Sequence, residues 1–249
     1  MKLERNMNAV PRYGVARVIS KLGLGSRTEA ARWVRAGRVQ VNGRVVWDAE
    51  FPVRQGVDKI RVAGLDATPA ARLVLMLNKP RGLVTTAKDE RDRATVYDCL
   101  KGAGLPWLAP VGRLDKASEG LLLFTNDPAW AAGITDPESG PSKTYQVQID
   151  RLPDPALLEN LERGALVDGD RLKVVSACCV RIGTKNSWLQ IVLDEGRNRQ
   201  IRRLLAAFDV SVVRLVRVAI GPLSLGELGK GQWRILSELE VDAMRPPSR

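Results

Sequence analysis

Histidine is absent from this chain of 249 residues. Covalent chemistry must therefore run on carboxylate, hydroxyl, thiol or amine groups, and a zinc site loses its commonest nitrogen ligand. Cysteine is scarce. Cys99 and the adjacent pair Cys178 and Cys179 cannot build a disulfide framework, and neighbours on an alternating strand point to opposite faces, which makes a poor chelate. A reducing compartment, no metal and no cofactor are expected. No apolar run approaches the roughly 18 residues of a spanning helix. The first residues also lack the charged-then-apolar design of a signal peptide, so a cytoplasmic protein with no membrane partner is expected. Acids are outnumbered: 28 Asp and Glu face 39 Lys and Arg, a net charge of +11. That surplus points to a polyanionic partner, nucleic acid ahead of an anionic membrane surface. A basic, solvated surface without a partner is the plainer explanation of the same count.

What is present suffices for a core, with 45% hydrophobic residues. Residues 1 to about 12 read as a flexible basic leader. Val15, Val18, Ile19 and Leu22 follow helical spacing, and Gly23 closes that helix. Ser26-Arg27-Thr28-Glu29 is a capping box opening a second helix, with Ala30, Trp33 and Val34 on one face, Arg32 and Arg35 away from it, and Gly37 at its end. Val39-Gln40-Val41 and Arg44-Val45-Val46 flank Asn42-Gly43, the signal of a type I′ hairpin. Residues 11–60 hold ten Lys or Arg against four acids, a surplus of six in a fifth of the chain. The stretch ISKLGLGSRTEAARWVRAGRVQVNGRVV resembles the S4 RNA-binding domain. That resemblance implies an α-L type unit over 12–62, with Arg27, Arg32, Arg35, Arg38 and Arg44 as candidate phosphate contacts.

Residues 63–72 read as a linker. Beyond it strands and helices alternate without a βαβ beat, which predicts a mixed, mostly antiparallel α+β domain over 73–240 and a flexible tail over 241–249. Leu73 to Asn78 and Leu121 to Thr125 are expected as buried strands, Tyr145 to Ile149 as a half-buried one, and Trp188 to Leu193 as another. Asp127-Pro128 and Asp154-Pro155 start helices, the second stopping near Gly164, and Asn198 to Phe208 is read as a helix.

The chemistry concentrates in VGRLDKASEGLLLFTND. Asp115 alone would be an ordinary turn aspartate. Gly112 and Gly120 around it allow tight backbone passage, and Leu121 to Phe124 are expected to give a poorly hydrated floor. A carboxylate there needs a cation to stay ionised. At about 100° per residue, Ile201, Leu204, Leu205 and Phe208 form one stripe of the last helix. Arg199 and Arg203 fall opposite it, toward solvent or phosphate, and Arg202 sits on the boundary, able to turn inward. Ordinary surface arginines on an amphipathic helix are the plainer alternative.

These segments together resemble the pseudouridine synthases, specifically their RsuA-like branch. VGRLDKASEGLLLFTND matches the aspartate motif, KTYQVQI the tyrosine motif, EGRNRQIRRLLAAF the arginine motif and LNKPRGLVTT the first core strand, spanning about residues 12 to 240 in order. The resemblance implies site-specific isomerisation of uridine to pseudouridine in ribosomal RNA, of the large subunit by the branch, with no cofactor. It implies Asp115 as nucleophile, Tyr145 beside the base and in proton transfer, and Arg202 as the cation paired with Asp115. Leu204 or Ile201 would wall the pocket, while Arg113, Arg197, Arg199 and Arg203 are candidate RNA contacts. A monomer acting on ribosomal RNA or an assembly intermediate follows. Two alternatives stay open: an RNA-binding assembly factor of this fold with secondary or lost catalysis, and a glycoside-type enzyme. The latter calls for a second acid across the substrate, which these motifs do not offer.

Overall fold

A computed structural model describes residues 11–65 and 71–244. Residues 1–10 of the expected leader, 66–70 of the expected linker and 245–249 of the expected tail lie outside them. The chain divides into two compact units, Met1–Leu73 with Gly104–Ala109, and Val74–Ala103 with Pro110–Arg249.

The first unit contains β1 (Arg12–Gly14), α1 (Val15–Lys21), α2 (Arg27–Arg35), β2 (Val39–Val41), β3 (Arg44–Val45), β4 (Pro52–Arg54) and β5 (Ile60–Val62). Ser26 and Glu29 close the capping box as read, and Val15, Val18, Ile19, Ala30 and Val34 bring the two helices together in one core. Asn42 and Gly43 both take positive φ, 50° and 82°, the backbone a type I′ turn demands, and the hairpin pairs Val41 with Arg44. Arg27, Arg32, Arg35, Arg38 and Arg44 are all exposed, with the Arg38 guanidinium donating to the Ala63 carbonyl at 2.9 Å, and among the described residues none of them joins an ion pair. Residues 104–109 belong here rather than with the second unit, because the Trp107 amide donates to the Gly23 carbonyl at 2.9 Å.

The second unit comprises β6 (Val74–Lys79), a 3-10 turn (Val96–Leu100), β7 (Ala109–Val111), which leads into it, β8 (Glu119–Thr125), α3 (Pro128–Thr135), β9 (Lys143–Ile149), α4 (Pro155–Arg163), the hairpin β10 (Ala165–Val167) and β11 (Asp170–Leu172), β12 (Ser176–Ile182), β13 (Ser187–Leu193), α5 (Gln200–Ala206), β14 (Val212–Ile220), β15 (Leu223–Ser224), β16 (Trp233–Ile235) and α6 (Glu238–Ala243). Its main sheet runs β12-β13-β9-β14-β8-β6-β16. Every named neighbour pair is antiparallel except β14 with β8, so the mixed, mostly antiparallel α+β expectation holds. Val147, Ile149, Leu189, Ile191 and Leu193 alternate onto one face, where Leu157 and Leu161 of α4 and Ile201, Leu204 and Leu205 of α5 cover them. The α6 helix corrects the expected start of the tail: Val241 and Met244 are buried, so apolar packing carries the fold past residue 240.

Candidate active site

Asp115 lies on the loop between β7 and β8, turned by Gly112 at φ 70°. Three groups from the end of β6 and the chain after it hold this loop. The Thr85 hydroxyl donates to the Leu114 carbonyl at 2.7 Å, the Gly82 amide donates to Lys116 at 2.7 Å, and Lys79 reaches across from the strand end. Lys79 has no exposed surface, and its ammonium donates to the carbonyls of Pro80, Asp115 and Ser118 at 3.0, 3.2 and 2.8 Å. Burial pushes that ammonium down to about 8, with Asp115 and Glu119 opposing the fall. Lys79 thus fixes the backbone of the residue whose carboxylate faces the cavity. Sequence reading passed over it; the one signal was a lysine directly after the expected buried strand Leu73 to Asn78.

The cavity beside Asp115 measures about 600 Å³ and is walled by Tyr145 and Lys143 of β9, Leu193, Ile201, Leu215 and Arg217, with Ile134 and Pro137 nearby. Its size suits a nucleotide-sized guest. The Asp115 side chain is 38% exposed, and Arg199 Nη1 lies 3.5 Å from its Oδ2. Arg202 instead donates to the Val212 and Ala117 carbonyls at 3.2 Å each, which leaves its Nε buried without an acceptor. Burial and the Arg199 charge push Arg202 down, and Asp115 opposes them. A wider cavity of about 800 Å³ in the first unit is lined by Arg38, Lys59 and Arg61 and does not hold Asp115 or Tyr145.

Known proteins match this organisation. The sequence profile of the RNA pseudouridylate synthase family matches residues 73–207, more than half the chain, and that of the S4 domain matches residues 15–58. The chain is similar to ribosomal large subunit pseudouridine synthase B of Bacillus subtilis, 35% identical over 232 residues that cover 92% of this chain and 94% of that one. The chain belongs to the RNA pseudouridylate synthase family. An uncharacterized RNA pseudouridine synthase of Aquifex aeolicus is also 35% identical, over 91% of both chains. A crystal structure of a pseudouridylate synthase gives a TM-score of 0.64 at 28% identity, covering 93% of this chain and 99% of that one. The synthase is thus an isomerase whose substrate is RNA.

The synthase brings Asp115, Tyr145, Arg113, Arg197, Arg199 and Arg202 to one cavity, and it departs from the sequence reading in five places. Arg199, not Arg202, makes the ion pair with Asp115, because α5 begins at Gln200 and Arg199 is its N-cap residue in the left-handed region, φ 50°. A helical wheel starting at Asn198 therefore aims Arg199 wrongly. Arg203 does not face solvent for phosphate: it bonds Asp168, Asp170 and the Val167 carbonyl at 3.2, 3.0 and 2.8 Å, tying α5 to the β10–β11 hairpin. Leu204 is wholly buried in the core, and only Ile201 reaches the wall. Leu121 to Phe124 give no floor to the site, since β8 runs between β14 and β6 and those four residues have no exposed surface. A second cavity carboxylate does exist, Glu195, but its oxygens accept from Arg197 at 2.9 Å and Gln200 at 2.8 Å.

Proposed function

We propose that the synthase isomerises specific uridines of ribosomal RNA, in the large subunit, with Asp115 as nucleophile and Tyr145 beside the base. The observation that carries this reading is one carboxylate, anchored through its backbone by Lys79 and ion-paired to Arg199, facing Tyr145's cavity within the segment that matches the family. The reaction breaks the bond from N1 to the ribose, turns the uracil and joins C5 to the same ribose carbon; C5 loses its proton and the freed N1 gains one, so the product is an isomer of the substrate. An ionised carboxylate assists the cleavage, and a phenol is a suitable group to help move that proton. Arg199 gives the Asp115 carboxylate a cationic neighbour at 3.5 Å on the cavity wall. The target uridine must leave its stack, at a cost of a few kcal/mol that falls when the RNA is already single-stranded. Phosphate contacts from the exposed arginines of the S4 unit offset that cost.

The Bacillus subtilis relative is named for the large ribosomal subunit, which supports the choice of RNA. We place the synthase in the cytoplasm as a monomer, with ribosomal RNA or an assembly intermediate as its partner. The assembly-factor alternative fares worse, since a pure binder gains nothing from a lysine buried to hold the Asp115 loop. The glycoside-type alternative needs a free second acid, and Glu195 is committed to Arg197 and Gln200. The test is unmodified large-subunit RNA labelled with tritium at uracil C5. Tritium release at a small number of uridines is expected. Release from small-subunit RNA alone would move the target, and no release from either RNA would refute the reading.

A further inference from the structure

Two cations on one wall of the Asp115 cavity have no role in the reaction described above. Arg217 of β14 pairs in register with Tyr145 of β9, and Lys143 lies two residues before Tyr145, so the three share one face of the sheet. Both cations line the cavity. Arg217 is only 6% exposed; its Nε donates to the Leu121 carbonyl at 2.7 Å, while its Nη2 is buried and has no acceptor. Neither Arg217 nor Lys143 makes an ion pair among the described residues, whereas Arg199 and Arg197 on the same cavity each hold a carboxylate.

Such a pair is costly to the free protein. A buried donor left without an acceptor costs about 1–3 kcal/mol. Burial, and then the charge on Arg217, push the Lys143 ammonium below its ordinary value, against a smaller pull from Asp194. Folding alone does not call for this arrangement, because apolar residues of similar volume would fill the wall without either penalty.

We propose that Lys143 and Arg217 together bind a phosphodiester of the RNA strand next to the uridine that enters the cavity. This rests on the reading that uridine enters there. An anion satisfies the free guanidinium nitrogen and screens both charges at once, and the guanidinium fork matches phosphate oxygens. A uracil carbonyl would supply an acceptor and leave the two cations repelling each other. The contact also has a use in the reaction: once the bond to N1 breaks, the base turns while the ribose must keep its place, and its phosphates are its links to the rest of the strand. A gripped phosphate keeps the ribose carbon aligned with Asp115 while the base turns.

The test measures binding of the full chain to unmodified, in vitro transcribed ribosomal RNA across a range of salt, with turnover measured in parallel. Lys143→Gln and Arg217→Gln are each expected to lower the slope of log affinity against log salt by about one. Asp115→Asn is expected to keep the full slope without turnover. Lys143 is half-buried near a strand end, so Lys143→Gln remains informative if Arg217→Gln melts early. Unchanged slopes in both variants would overturn the phosphate contact, and unchanged slopes with lowered turnover would point to a neutral acceptor in its place. Failure of the wild-type chain to make pseudouridine would sink the uridine reading separately, because the slopes are read from binding alone.

Discussion

Replacing Lys79 by methionine separates the anchoring of Asp115 from its chemistry. The ammonium makes three bonds to backbone carbonyls from a fully buried position. Bonds from a charged donor contribute about 1.5–3 kcal/mol each, roughly 5–9 kcal/mol together. Against this stands the cost of burying the charge. A fall from 10.5 to about 8 corresponds to about 3 kcal/mol, which methionine would recover. The net loss is then roughly 2–6 kcal/mol, a fall in melting temperature on the order of 10 °C. Turnover should drop about 100-fold even at temperatures where the variant is folded, since a shift of about 1 Å in the loop misplaces the carboxylate. The pH dependence has a definite sign. The folded pKa lies below the unfolded one, so the unfolded chain binds more protons between about 8 and 10.5, and wild-type stability relative to the variant rises with pH across that window. Melting curves from pH 7 to 10.5 and tritium release measure all three effects. A variant that melts and turns over like wild type would refute the anchoring role, as would a stability difference that does not change with pH.

Other perturbations follow from the same geometry. Arg199→Gln should cut turnover by roughly tenfold or more while moving the melting temperature little, because the arginine is half exposed and outside the core; equal loss of stability and activity would contradict the ion-pair role. Glu119, buried and bonded to Arg214 at 2.8 and 2.9 Å and to Lys230 at 2.9 Å, is held down to about 2, chiefly by the Arg214 bonds. Its stabilisation is present above about 4.5 and is lost as pH falls through about 2, so Glu119→Gln should cost about 3 kcal/mol at pH 7 and flatten the acid limb of the stability curve; an acid limb identical to wild type would contradict this. Gly120→Ala should unfold or severely weaken the second unit, since a Cβ would fall 2.2 Å from the Arg217 carbonyl at a backbone φ of 101°. A soluble variant with wild-type melting would show that β8 and β14 can part without cost.

Much of this architecture was legible in the chain because its signals are local. Ser26 with Glu29, Asn42-Gly43, Asp127-Pro128 and Asp154-Pro155 each specify a cap or turn through contacts within four residues, and each forms as read. Asp115 and Tyr145 were legible through the motifs that surround them. What escaped depends on tertiary context. Periodicity cannot show that Arg199 caps the start of the helix in a left-handed conformation; it put Arg202 on the boundary of the apolar stripe, and the resemblance then gave Arg202 the Asp115 ion pair. An apolar run such as Leu121 to Phe124 looks the same whether it lines a cavity or lies mid-sheet. Lys79 reads as an ordinary turn cation until the loop 36 residues on is brought to it.

The most direct test of the central claim is pseudouridine formation by Asp115→Asn on unmodified ribosomal RNA, with affinity measured on the same RNA. The carboxamide keeps the shape of the side chain and removes its charge. RNA bound within a fewfold of wild type, with no detectable pseudouridine, is the predicted result. Pseudouridine appearing at the wild-type rate would contradict the assignment of Asp115 as the reacting group.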